Sequence, residues 1–142
     1  MTMFEGGCLC AAIRYRITEL PVYSVVCHCR SCRRANGASS VAWITVARSD
    51  FRFVTGYPQA YPSSPGVVRK FCRTCGSSLT YENSGSADTV DITTATLDHP
   101  EEFAPRQEVW MEHRLQWQPV DRALRHFARG MTLDPDAQPA SN

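Results

Sequence analysis

The sequence predicts a small, mainly β domain built of short strands, and three observations predict it. Apolar residues recur in short runs that either alternate with polar ones or are β-branched and aromatic throughout, the patterns of half-buried and buried strands. Nine prolines and eight glycines spread along 142 residues break the chain into many short elements. Helical periodicity is weak, and a chain of this length builds one core, not two.

Taken in order, residues 11–17 alternate and place Ile13, Tyr15 and Ile17 on one face. Residues 31–35 support one short helical turn. Residues 40–46 (SVAWITV) are apolar or β-branched almost throughout and read as a largely buried strand. Residues 51–54, 67–71, 79–81, 89–93 and 108–111 read as further strands. Residues 62–66 (PSSPG) and 83–87 are small-residue loops. Residues 120–127 are expected to form a second helical turn that carries Leu124 and Phe127 inward. Trp43 and Phe53 are assigned to the core. Residues 1–130 then form the domain, and the polar, proline-containing 131–142 are expected to be a disordered tail.

Bulk properties exclude several classes. No run of about 18 apolar residues exists, so no membrane span is expected. The N-terminus lacks a basic segment followed by an apolar stretch, so a cytoplasmic location is expected. A formal charge of +1 shows no basic excess for general nucleic-acid binding. If all seven cysteines hold two zinc ions as thiolates, the formal charge is instead near −2.

Seven cysteines are the anomaly. An odd number cannot pair fully within one chain, and a reducing compartment disfavours disulfides, so clustered cysteines point to metal. They fall in three groups: Cys8 with Cys10, then Cys27, Cys29 and Cys32, then Cys72 and Cys75 followed by Gly76. In an extended strand, residues i and i+2 face the same way, so Cys8 with Cys10, or Cys27 with Cys29, can aim both sulfurs at one ion. The C-x-x-C-G element bends the chain so that backbone N–H groups can meet the sulfurs, and its glycine permits a positive φ. Two pairs make a closed tetrahedral site, the form structural zinc takes. Joining Cys8 and Cys10 to Cys72 and Cys75 leaves Cys27, Cys29 and Cys32. Three protein ligands plus an open position is the composition of a reactive zinc site; the same trio closed by a nearby side chain, such as His28, would be a second structural site. His28 lies between two strand cysteines and should face away from their sulfurs, as a hydrogen-bonded structural residue. Arg30, Arg33, Arg34 and Arg73 flank the cysteines and either offset thiolate charge and attract an anionic thiol or form a solvated surface.

The segments GGCLC, CHCRSCRRANGA, FRFVTG, RKFCRTCGSSLTY and EVWMEHRLQW together resemble the glutathione-dependent formaldehyde-activating enzymes, also called the centromere-protein-V family. The resemblance runs from about Gly6 to Trp117. It implies a fold of short coiled antiparallel sheets around a four-cysteine zinc site, similar to the Rab-exchange chaperones and the methionine-R-sulfoxide reductases. It also implies two zinc ions, one on Cys8, Cys10, Cys72 and Cys75, the other on a catalytic trio of Cys27, Cys29 and Cys32. The implied activity is that of a carbon–sulfur lyase, joining a small thiol such as glutathione to formaldehyde or a similar small aldehyde.

For that chemistry the open zinc would take the substrate thiol as its fourth ligand and deprotonate it. Three thiolates leave the site electron-rich, so the metal acts more as a template than as a strong Lewis acid. Glu5, Glu112 and His113 are candidate proton-transfer groups, with surface roles as the plainer reading. The main alternative is a non-catalytic zinc module that holds a small thiol or a partner protein. A sulfoxide reductase is rejected, because no cysteine follows Cys75 to serve as a free nucleophile. Oxidation of Cys29 and Cys32 as a C-x-x-C pair is a secondary behaviour of the trio.

Overall fold

The computed structural model describes residues 2–130; the expected tail at 131–142 lies outside them. It is mainly β, with eleven strands and one α-helix among the described residues. The chain divides into two compact units, one of Met1–Tyr23 with Ile44–Ala104 and one of Ser24–Trp43 with Pro105 onward.

In the first unit, β1 (Phe4–Gly7) pairs antiparallel with β2 (Arg14–Ile17), and β2 pairs with β5 (Phe51–Thr55). Gly6 is required where β1 crosses Tyr15: a Cβ there would stand 2.3 Å from the Tyr15 hydroxyl and 2.6 Å from the Thr96 carbonyl oxygen. A meander follows, with β6 (Gln59–Ser64), β7 (Val67–Phe71), β8 (Ser78–Asn83) and β9 (Thr89–Thr93) successively antiparallel. The core of this unit gathers Ile13, Tyr15 and Ile17 with Ile44, Val46, Leu79, Val90, Ile92 and Leu97. Apart from Ile13 and Leu97, which lie outside the strands, these are inward-facing positions along the strands. Phe53 is only half-buried; it packs against this core and meets Phe51 edge-on at 5.0 Å.

The second unit contains β3 (Tyr23–Cys27) over all but its first residue, then α1 (Arg30–Asn36), β10 (Gln107–Val109) and β11 (Arg125–His126). Here β10 runs parallel to both neighbours, with Val109 opposite Cys27 and Glu108 opposite Val26 and His126. Parallel pairing needs a long connection, and the chain between β3 and β10 supplies it. β4 (Val41–Ala47) gives its first residues to this unit, including the buried Trp43, and its last to the first unit.

Several expectations are corrected. Residues 120–127 form no helix: Asp121 ties its side chain to the Ala123 N–H and its own N–H to Glu108, and β11 follows. Phe127 is buried as expected, whereas Leu124 is half-buried. The strand expected over 11–17 begins only at Arg14, because Ala11 adopts φ 63° in a turn. The strand over 108–111 stops at Val109, where Trp110 takes φ 58° and a 3-10 turn (Met111–His113) follows. Pro62 lies within β6 and not in a loop, tolerated because β6 lies at a sheet edge. β1, β3, β6 and β11 lay outside the strands read from sequence.

Candidate metal centres

Both cysteine clusters assemble. The sulfurs of Cys8, Cys10, Cys72 and Cys75 lie within 4.8 Å of one another, and so, separately, do those of Cys27, Cys29 and Cys32. None of the seven is in a disulfide.

The four-sulfur group lies in the first unit and is built from two hairpin loops. The β1–β2 loop carries Cys8 and Cys10; the β7–β8 loop carries Cys72 and Cys75. Cys8 and Cys10 do not lie in a strand, as same-face reasoning assumed. They lie in a turn, closed by Ala11 N–H to the Cys8 carbonyl at 3.1 Å. The turn still converges their sulfurs, at 3.7 Å. In the second loop, Gly76 takes φ 81° and its N–H returns to the Cys72 carbonyl at 2.7 Å. Backbone N–H groups meet the sulfurs as expected: Ile13 donates to Cys8 Sγ at 3.2 Å and Cys75 to Cys72 Sγ at 3.5 Å. Ser77 joins the loops, its Oγ accepting from the Leu9 N–H at 2.9 Å and lying 3.2 Å from Cys75 Sγ.

The donor set fits zinc. Tetrahedral zinc with sulfurs at about 2.3 Å separates neighbouring sulfurs by roughly 3.8 Å; Cys8–Cys10 and Cys10–Cys72 measure 3.7 and 3.8 Å. The Ser77 hydroxyl, then the Ser77 and Cys10 backbones, lower Cys75 to about 5. The Cys75 N–H is the chief group lowering Cys72. For Cys10 the Ala12 N–H pulls down, but desolvation and the sulfurs of Cys8, Cys75 and Cys72 hold it up at about 11. Sulfurs this close cannot all ionise without a cation among them, which is the condition under which metal displaces thiol protons.

The three-sulfur group lies in the second unit on one continuous segment. Cys27 ends β3, Cys29 caps α1, and Cys32 lies in the helix's first turn. The Cys29 sulfur serves as the N-cap acceptor, taking the Cys32 N–H at 3.3 Å. Cys27 and Cys32 are buried and Cys29 is half-buried. Hydrogen bonds with the Cys29 and Cys32 sulfurs, then burial, push the Cys27 thiol far up. No histidine, aspartate, glutamate or further cysteine among the described residues joins it within 4.8 Å.

His28 stays out of the trio and is fully buried. Its Nε2 lies 2.8 Å from Glu108 Oε1, and its Nδ1, also buried, has no hydrogen-bond partner. The other Glu108 oxygen accepts from the Asp121 N–H at 3.0 Å and lies 2.9 Å from His126 Nε2. Since His126 Nε2 also lies 2.8 Å from the Asp121 carbonyl, that nitrogen carries a proton. Glu108 is therefore a buried acceptor ringed by three N–H donors. Sequence reasoning missed it; the available signal was a carboxylate heading a short apolar run, Val109 to Met111.

Of the proton-transfer candidates, Glu112 and His113 lie in the second unit and do not join the trio. Glu5 lies in the first unit and is held by Arg16 at 2.8 and 3.0 Å. Glu112 accepts from Arg129 at 3.0 Å, and His113 stacks on Trp110 at 5.4 Å. Arg30 and Arg34 are exposed on α1, Arg33 is half-buried, and Arg73 is exposed in the first unit. No helix among the described residues is long and apolar enough to cross a membrane.

Comparison with known proteins agrees with this arrangement. The family model for glutathione-dependent formaldehyde-activating enzyme matches residues 3–113. The fold is similar to the crystal structure of a Rhodobacter sphaeroides protein, a structural-genomics target, at 25% identity and a TM-score of 0.58; the match covers 66% of this chain and 87% of that one. No curated protein matches the chain.

Proposed function

This chain belongs to the glutathione-dependent formaldehyde-activating enzyme family, and from that premise we propose that it is a zinc-dependent carbon–sulfur lyase. In this reading it holds two zinc ions and joins a small thiol such as glutathione to formaldehyde or a similar small aldehyde. One observation carries the proposal. Four sulfurs complete one tetrahedral set, whereas Cys27, Cys29 and Cys32 converge with no fourth cysteine, histidine or carboxylate among the described residues.

In the first unit, Cys8, Cys10, Cys72 and Cys75 hold the structural ion and tie the two hairpin loops together. In the second, Cys27, Cys29 and Cys32 would hold the other. A zinc ion there supplies positive charge that lowers the pKa of a thiol brought to it. Burial of Cys27 and Cys32 limits water at their sulfurs, and the Cys32 N–H fixes the Cys29 sulfur. The half-exposed Cys29 marks the side from which a thiol and an aldehyde approach. The reaction forms one C–S bond and opens the carbonyl π bond, and the thiol's proton ends on the carbonyl oxygen.

The alternative is a module that holds a thiol without reacting it. It is favoured by one observation, that no imidazole or carboxylate joins the trio to move a proton. Native mass spectrometry and NMR detection of hydroxymethylated glutathione decide between them. The enzyme reading requires two zinc ions per chain and product formation above the uncatalysed rate. Cys29→Ser should leave a folded chain with one ion and no rate enhancement, and Cys8→Ser should destabilise the fold. A single ion in the unmutated chain contradicts the two-centre scheme; thiol binding with no rate enhancement establishes the module instead.

A further inference from the structure

The second unit is strongly cationic. Its described residues include eight arginines and no lysine against three acids, and each acid is already engaged. Glu108 is ringed by His28, His126 and the Asp121 N–H, Glu112 accepts from Arg129, and Asp121 caps the Ala123 N–H. Three of the arginines, Arg30, Arg33 and Arg34, lie on α1, a helix with no acidic residue. None of these three has an ion pair among the described residues. A field of this sign around a thiolate-rich centre favours anionic ligands.

Arg33 stands apart from its neighbours. Arg30 and Arg34 are exposed, whereas the Arg33 Nε is fully buried and has no hydrogen-bond partner. An unmatched buried N–H is costly, and in native proteins such a group calls for a reason, among them a functional role or a bound water or ion. The position is also specific. The Arg33 N–H donates to the Cys29 carbonyl at 3.0 Å, the first i,i+4 bond of the helix. Arg33 directly follows Cys32, a member of the three-cysteine centre, in α1, and carries a planar donor fork suited to a carboxylate.

We propose that Arg33 is the carboxylate anchor of this centre, so that it selects thiols carrying a carboxylate over neutral thiols. The proposal rests on the reading that a thiol binds at Cys27, Cys29 and Cys32. It assigns the selection to one guanidinium, not to the general charge of the helix.

The test uses the full chain loaded with cobalt(II) and follows the sulfur-to-cobalt charge-transfer bands while 2-mercaptoethanol or 3-mercaptopropionate is added. The unmutated chain should bind 3-mercaptopropionate at least about tenfold more tightly, the scale of one hydrogen bond between charged groups. Arg33→Gln should bring the two thiols within about threefold of one another, and Arg33→Lys should restore part of the difference. Arg34→Gln, one residue further and exposed, should keep the preference. Two cobalt ions per chain in each variant verify the fold. A preference that survives Arg33→Gln, or an equal weakening of both thiols, overturns the proposal. If neither thiol changes the bands of the unmutated chain, the thiol-binding reading itself fails and the anchor fails with it.

Discussion

Replacing Glu108 tests whether the buried acceptor holds the second unit together. Glu108 is 3% exposed and faces three N–H donors: His28 Nε2, His126 Nε2 and the Asp121 backbone. In Glu108→Ala, His126 Nε2 keeps the Asp121 carbonyl as an acceptor, but the other two donors lose theirs. Each buried donor left unsatisfied costs about 1–3 kcal/mol, and two are left here. The expected loss is about 3–5 kcal/mol, a large share of a small domain's stability. In urea, with an m-value of about 2 kcal/mol/M, the midpoint should fall by roughly 1.5–2.5 M. Glu108→Gln should lie between the two, because its amide offers one acceptor oxygen and turns an N–H₂ toward a donor. The register of β10 on β3 places this ring beside Cys27. Metal counting on Glu108→Ala should therefore show the three-sulfur ion lost before the four-sulfur one. A midpoint shift under about 0.5 M for alanine, or glutamine more damaging than alanine, would refute the reasoning.

Two further perturbations probe the first unit. Gly6→Ala places a methyl group 2.3 Å from the Tyr15 hydroxyl, itself 2.8 Å from Thr96 Oγ1; overpacking of this kind should cost about 1–3 kcal/mol in urea unfolding, and an unchanged midpoint would contradict the contact. Burial raises the pKa of Asp91, while its bond from Thr45 Oγ1 at 2.6 Å opposes the rise. A folded pKa above the unfolded one means that the folded state binds the proton more tightly, so the charged form weakens folding increasingly as pH rises through that value. Asp91→Asn keeps an acceptor for Thr45 and should raise Tm by about 2–4 °C at pH 7, a gain that shrinks toward pH 4; a gain that grows on acidification would reverse the sign of the argument.

The cysteine clusters were legible because metal ligation imposes spacing directly on sequence: C-x-C, C-x-C-x-x-C and C-x-x-C-G survive in the chain as the sulfurs converge in space. Strands with strong β-branched or alternating character were legible too, with Val67–Phe71 and Thr89–Thr93 read to the residue. What escaped was set by tertiary contact. β1 contains two glycines and no alternation, yet it forms because Gly6 admits Tyr15. β11 is two residues long and is defined by its pairing with β10. The pairing of β10 with β3 joins segments about 80 residues apart, and no local signal encodes that.

The contrast between the two sulfur groups follows from how the chain delivers them. Cys8 and Cys10 come from one hairpin loop and Cys72 and Cys75 from another, so two independent turns approach the same point and can enclose an ion on all sides. Cys27, Cys29 and Cys32 come from six consecutive residues, the end of a strand and the cap and first turn of a helix. Ligands from one short segment occupy one hemisphere of an ion. Closing the other hemisphere needs a donor from elsewhere, and the nearest candidate by sequence, His28, is held through Nε2 by Glu108 and stays outside the group. The buried carboxylate thus engages the histidine nearest to the trio in sequence. Freeing His28 should therefore have a spectroscopic consequence as well as a cost in stability. If Glu108→Gln still binds two cobalt ions, any histidine nitrogen entering the trio would weaken its response to added thiol, whereas an unaltered thiol response would show that His28 is kept out by backbone direction alone.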